Sequence, residues 1–170
     1  MIPARRILEA VTIMASKAPN GFTLIELLVS VAIIIVMTGG VIVNYNTYND
    51  SQRTRSAVLT VKNNLRYAQG RAYNGEKPTS GCTQLKGYQV DFTATTYSVQ
   101  AYCTEGLAGT AQDYLLDSGI SFFPVPPAIT FGVLSRGIDT DTAIIAIGSG
   151  KSYQFQVMRS GDMSEVTQVP

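Results

Sequence analysis

Few side chains in this 170-residue chain carry chemistry, and their types narrow what that chemistry is. There is no histidine, so no serine or cysteine can be paired with an imidazole base. Gly150-Lys151-Ser152 has the ending of a phosphate loop, but that loop needs glycine at position 145, where Ile145 stands, and a strand rather than a helix is expected to follow. An ordinary hairpin turn is the reading. Asp139 and Asp141 lie close together in a turn and offer calcium two carboxylates, which is short of a ligand set; a solvated loop is the simpler account. Cys82 and Cys103 are the two cysteines, with no histidine or third thiol to complete a metal site. They form one disulfide if they face an oxidising compartment, contributing about 3 kcal/mol in the chain-entropy model, or stay as two reduced, buried thiols. No catalytic residue, metal or cofactor is expected.

The group left over is Glu26, the one ionised side chain between Phe22 and Val43. A helix over that run, rising about 1.5 Å per residue, is about as long as a bilayer's hydrocarbon core is thick. The run lacks the period of two that would mark a half-buried strand. It reads as a transmembrane helix rather than a buried helix of a soluble core. A carboxylate near its start costs a few kcal/mol to insert and needs a cation. Cutting the chain between Gly21 and Phe22 would create an amine one helical turn from Glu26, recurring in every neighbouring subunit of an assembly. The alternative is a carboxyl that snorkels to the interface or sits neutral in lipid.

Gly21-Phe22-Thr23-Leu24-Ile25-Glu26-Leu27-Leu28-Val29 resembles the prepilin signature of type IV pilins and type II secretion pseudopilins. The resemblance implies that a prepilin peptidase cuts after Gly21 and methylates Phe22, and that Glu26 guides subunit docking. The segment before it carries Arg5, Arg6 and Lys17 against Glu9, a bias that keeps the N-terminus cytoplasmic. An ordinary secretory signal would place its cleavage site after the apolar stretch, not before it. Met14 is an alternative start, giving a shorter leader, Met14 to Gly21. The expected precursor sits in the bacterial cytoplasmic membrane with its head outside, and its partners are the peptidase, other pilin or pseudopilin subunits and the assembly platform.

The elements that position these residues follow from periodicity. Gly39 and Gly40 each cost a helix about 1 kcal/mol relative to alanine and mark either a soft spot or a close helix contact. Beyond Val43 the composition turns polar but no proline intervenes until Pro78, so the helix continues. Val58, Val61, Leu65, Ala68 and Ala72 recur every three or four residues as one narrow apolar face, with Arg55, Lys62 and Arg66 about 100° away. Asn74-Gly75 before Pro78 is the stop. Strands are expected at Gly87 to Phe92, Thr96 to Cys103, Ile120 to Phe123, Ala128 to Leu134, Thr142 to Ile147, Ser152 to Met158 and Ser164 to Val169. Turns are expected at 135–137, 148–150 and 160–162. Pro124-Val125-Pro126-Pro127 cannot be a central strand and crosses between sheet layers or runs along an edge.

The expected architecture is α+β, the pilin fold that the signature implies. It comprises a leader at 1–21, a spine helix at 22–76 whose transmembrane half is 22–43 and amphipathic half 44–76, and an antiparallel β-sheet head at 77–170. Ile129-Thr130-Phe131, Arg136-Gly137, the strand Ala143 to Ile147 and the strand Tyr153 to Val157 ending in Arg159-Ser160-Gly161 resemble the GspH/FimT-type minor pilin or pseudopilin head. The chain departs from that pattern at the final turn, where a Gly-Arg pair is usual.

The near-neutral total hides a split. The stretch 44–77 carries Arg53, Arg55, Lys62, Arg66, Arg71 and Lys77 against Asp50 and Glu76, whereas the head is acidic, a distribution that suits docking of one subunit's stalk on another's head or is simply solvated. The leading function is structural, a minor pilin or pseudopilin, with the major shaft pilin as a variant. A DNA-binding minor pilin for natural transformation is the alternative. Asp162 and Glu165 after Arg159 speak against it, because phosphate contacts would have to come from elsewhere.

Overall fold

The structure, a computed structural model, describes residues 21–135 and 137–169; for 39–47 it gives the helical backbone without the side chains. The expected leader before Gly21, the packing around Gly39 and Gly40, and Arg136 lie outside the described residues. The chain divides into two compact units, 1–42 and 43–170. One helix, α1 (Leu24–Tyr73), runs through the boundary between them. It is followed by β1 (Leu85–Phe92), β2 (Thr96–Cys103), β3 (Gly106–Leu115), β4 (Ile120–Phe122), β5 (Ile129–Gly132), β6 (Thr142–Gly148), β7 (Lys151–Val157) and β8 (Thr167–Val169).

In the second unit the strands form two antiparallel four-stranded sheets, ordered β3-β2-β1-β5 and β4-β6-β7-β8. The Pro124 to Pro127 segment carries the chain from β4 in one sheet to β5 in the other, because proline cannot donate to a ladder. Register puts Tyr88 between Ala101 and Phe131, and Val90 between Val99 and Ile129. Tyr88, Val90, Val99 and Phe131 therefore share the buried face of the first sheet, and Ile144, Phe155 and Val157 line that of the second. The helical face read from the sequence closes the core: Val58, Val61, Leu65, Ala68 and Ala72 are all buried with these strands. Each of the three larger side chains contributes roughly 2 kcal/mol by leaving water.

Polar contacts fix the helix against both sheets. The Ser51 and Tyr153 hydroxyls share a hydrogen bond at 2.6 Å, Thr54 Oγ1 donates to the Gly148 carbonyl at 3.3 Å, and Asn64 Nδ2 donates to Tyr97 Oη at 2.6 Å. Lys62 belongs to the basic stretch that the sequence leaves either suited to docking on another subunit or simply solvated. It is buried, and its Nζ donates to the Ser164 carbonyl at 2.6 Å, because the segment entering β8 folds over it. Burial, and then the nearby Arg66, pull its pKa down, partly offset by Glu165.

The helix stops as expected. Gly75 takes a left-handed φ of 66°, its N–H donates to the Ala72 carbonyl at 3.1 Å, and the Glu76 N–H reaches the Arg71 carbonyl at 3.0 Å. That is a Schellman cap, tied further by the Arg71–Glu76 ion pair at 2.9 Å. Cys82 and Cys103 are joined as a disulfide with Cα atoms 5.5 Å apart, linking the segment before β1 to the end of β2. The one strand not expected is β3. It is a sheet edge whose two glycines and small polar residues break any alternation, and its register against β2 shifts between Val99 and Ala101.

An aromatic cluster of Phe92, Tyr97, Tyr114 and Phe122 bridges the sheets, with Tyr97 stacked on Tyr114 at 5.0 Å and Phe92 edge-on to Phe122 at 5.5 Å. Burial raises the pKa of Tyr97 above 10.0, offset in part by the Asn64 hydrogen bond. The folded chain thus holds a proton that the unfolded chain releases near that value, so the stability tied to Tyr97 is present below about pH 10 and is lost above it. Lys62, depressed by burial, acts in the opposite sense in the same window. Comparison with Tyr97→Phe isolates the phenol: the stability gap between wild type and variant narrows between about pH 8 and about pH 11 in urea melts. A constant gap would refute the assignment.

Candidate functional site

The N-terminal unit begins with a cap. Thr23 Oγ1 accepts from the Glu26 N–H at 3.3 Å and the Thr23 carbonyl accepts from the Leu27 N–H at 3.1 Å, so Thr23 is the N-cap and Glu26 sits three residues into the helix. Thr-x-x-Glu ahead of an apolar run is a capping-box spacing, a signal that was legible in the sequence and that the prepilin reading passed over. Glu26 is therefore in the first turn, where the helix dipole favours negative charge.

From Phe22 to Met37 the large apolar side chains point in every direction around the helix and are exposed, from 46% at Val31 to 82% at Leu24. The hydroxyls among them are satisfied within the helix: Ser30 Oγ donates to the Glu26 carbonyl at 2.7 Å and Thr38 Oγ1 to the Ile34 carbonyl at 2.6 Å. Such i−4 bonds let Ser and Thr sit in an apolar medium without an orphaned donor. Among the described residues no helix is long and apolar enough to cross a membrane. The described side chains of this stretch end at Thr38, and the apolar run continues to Val43 beyond them. Among the described residues no Lys or Arg pairs with Glu26; the ion pair found there is Arg71–Glu76.

The other residues singled out in the sequence are placed as follows. Gly150-Lys151-Ser152 is the turn and first strand residues of the β6–β7 hairpin, with Ser149 and Gly150 at φ 48° and 72°. Asp141 Oδ1 accepts from the Arg159 N–H at 2.6 Å and so braces a turn. Asp139 lines a cleft with Lys86, Tyr102 and Arg159, a grouping that no sequence spacing reveals.

Comparison with known proteins bears on the first of these places. A family model described as the prokaryotic N-terminal methylation motif matches residues 16–42, and no curated protein and no solved structure matches the chain. The capped, all-round apolar start of α1 lies inside that match, with antiparallel sheets after it as in a pilin fold. Residues 16–42 of this chain are the N-terminal methylation motif that marks the type IV pilins and pseudopilins.

Proposed function

We propose that the chain is a filament subunit, a minor pilin or pseudopilin of a type IV pilus or type II secretion pseudopilus. A prepilin peptidase cuts between Gly21 and Phe22 and Phe22 is methylated. The precursor is held in the cytoplasmic membrane by residues 22–43 and passes through the assembly platform into the filament. The observation that carries this reading is a methylation motif whose helical stretch exposes its apolar side chains on every side. Surface of that kind is stable in lipid or against other helices, at about 25 cal/mol for each Å² removed from water. The sequence resemblance of the stretch from Ile129 to Gly161 to the GspH/FimT-type head favours a minor subunit.

Glu26 sits in the first helical turn with no cation beside it among the described residues, which favours a partner from a neighbouring subunit: the amine freed at Phe22. Glu26→Val is expected to be cleaved normally and to stay in the membrane. Its recovery in sheared filaments falls at least about tenfold, the factor that about 1.4 kcal/mol of lost pairing produces. Unchanged recovery would overturn the role of Glu26.

The reading as a whole is tested by mass spectrometry of protein from sheared filaments, beside a strain lacking prepilin peptidase. A methylated Phe22 N-terminus in sheared material, absent from the mutant strain, is the expected result. A chain retaining residues before Phe22 in both strains, found in the membrane fraction alone, would sink it.

A further inference from the structure

In an uninterrupted α-helix each N–H bonds the carbonyl four residues back, so the Glu26 N–H would belong to the Phe22 carbonyl and the Ile25 N–H to the Gly21 carbonyl. The start of α1 is different. The Glu26 N–H goes to Thr23 Oγ1 at 3.3 Å, and the first carbonyl the helix takes is that of Thr23, from the Leu27 N–H at 3.1 Å. Among the described residues no N–H reaches the Gly21 or the Phe22 carbonyl. Residues 21–23 have no regular structure, and Gly21 and Phe22 are exposed. A carbon added at Gly21 would meet nothing within 4 Å, so no described part of the chain covers this peptide. One hydroxyl thus sets where the helix begins, and the Gly21–Phe22 bond lies just outside it.

That boundary matters for hydrolysis. Water adds to the Gly21 carbonyl carbon as its bond to the Phe22 nitrogen breaks, leaving a carboxylate on Gly21 and, with the transferred proton, an amine on Phe22. Inside a helix the Gly21 carbonyl would be tied to the Ile25 N–H and screened by its own turn, and opening that turn would add to the barrier. The hydroxyl decides whether the helix grows that far. With Oγ1 on the Glu26 N–H, growth onto the Phe22 carbonyl only exchanges one hydrogen bond for another. Without it, growth gains a bond, and in an apolar medium that donor has no water to turn to. Neither Phe22 nor Gly21 has a side-chain acceptor with which to stop the next step. We propose that Thr23 is a positioning residue for leader cleavage: its hydroxyl ends the helix at Leu24 and presents the Gly21–Phe22 peptide to the peptidase unwound. The inference rests on the filament-subunit reading, from which it takes the cleavage itself.

The test uses the full precursor in detergent with purified prepilin peptidase. Cleavage is timed by mass spectrometry, and the carbonyl chemical shifts of Gly21 and Phe22 are read by NMR before enzyme is added. Thr23→Val keeps the shape of the side chain and loses the acceptor. It is expected to lower kcat/KM about tenfold, the effect of one lost hydrogen bond on a rate, and to move both shifts toward helical values. Thr23→Ser and Thr23→Asn change the shape but keep a capping oxygen, so both are expected to be cut within about threefold of wild type, with shifts unmoved. A peptidase that reads the shape of residue 23 would instead cut Thr23→Val like wild type and Thr23→Asn slowly. That ranking would overturn the positioning role alone, as would slow cleavage of Thr23→Val with unmoved shifts. Wild-type precursor left uncut between Gly21 and Phe22 would overturn the filament-subunit reading along with it.

Discussion

Gly87→Ala is expected to lose about 3 kcal/mol or more of head stability in urea melts, with a matching fall in the amount of protein that accumulates. Gly87 lies on β1 opposite Gly132 of β5, beside a shift in the β1–β2 register. A methyl there would run into the Phe131 carbonyl oxygen, with the carbonyl carbon 3.0 Å and the Gly132 Cα 3.3 Å away. All three are backbone atoms of a paired strand. They cannot yield without breaking the ladder and the neighbouring Val133 N–H to Lys86 carbonyl bond at 2.9 Å. Gly70→Ala is the control. It is a helical glycine with nothing within 4 Å of the added carbon, and the same change there gains up to about 1 kcal/mol from helix propensity. A Gly87→Ala variant within about 0.5 kcal/mol of wild type would show that the β1–β5 contact is looser than described.

The second large effect belongs to the disulfide. Cys82→Ser with Cys103→Ser is expected to lower stability by about 3 kcal/mol, the loop entropy for a sequence separation of 21, and the thermal midpoint by about 10 °C. Cys103 is fully buried at the end of β2, so the serine hydroxyl adds a desolvation cost of its own. The segment between the helix cap and β1 has few other ties. Lys77 Nζ reaches the Thr83 carbonyl at 2.8 Å, and the Thr83 N–H reaches Glu105 Oε2 at 3.2 Å; the Thr83 hydroxyl first, then the Glu105 and Thr83 N–H groups, hold the Glu105 carboxyl below its usual pKa. Limited proteolysis of the double variant should therefore cut first within 78–84. Reductant should reproduce both effects in the wild type and leave the variant unchanged. Equal midpoints with and without reductant would sink the prediction.

The two predictions draw on different sources of information. The cysteine pair was open to a reading from composition and compartment alone, because two thiols without other ligands leave few options. The demand for glycine at position 87 was not, because it arises from the approach of a strand more than forty residues away. The same contrast holds along the chain. Val58 to Ala72 announce their buried face by a spacing of three and four, since a helix converts local order directly into geometry. β2 matches its expected bounds because Tyr97, Val99 and Ala101 alternate with polar residues. β3 carries no such pattern: its strand state is conferred by pairing with β2, which sequence order does not encode locally. Lys62 looks like a solvated cation on a helical wheel and is buried only because residues around Ser164 fold over it.

What the sequence determined by itself depends on near neighbours: the methylation motif around Phe22, the apolar run with its one acid, the amphipathic second half of α1 and its stop at Gly75, and the turns near 148–150 and 160–162, whereas the turn expected at 135–137 is closed instead by the Ser135 N–H on the Gly132 carbonyl. These depend on chain-local rules of period, charge and backbone freedom. What only the tertiary structure decided is the division of the strands into two sheets, the edge position of β3, the burial of Lys62, and the meeting of Lys86, Tyr102, Asp139 and Arg159 around one cleft. Those arise where strands distant in sequence pair, and the energy that places them is shared among contacts that no single stretch contains.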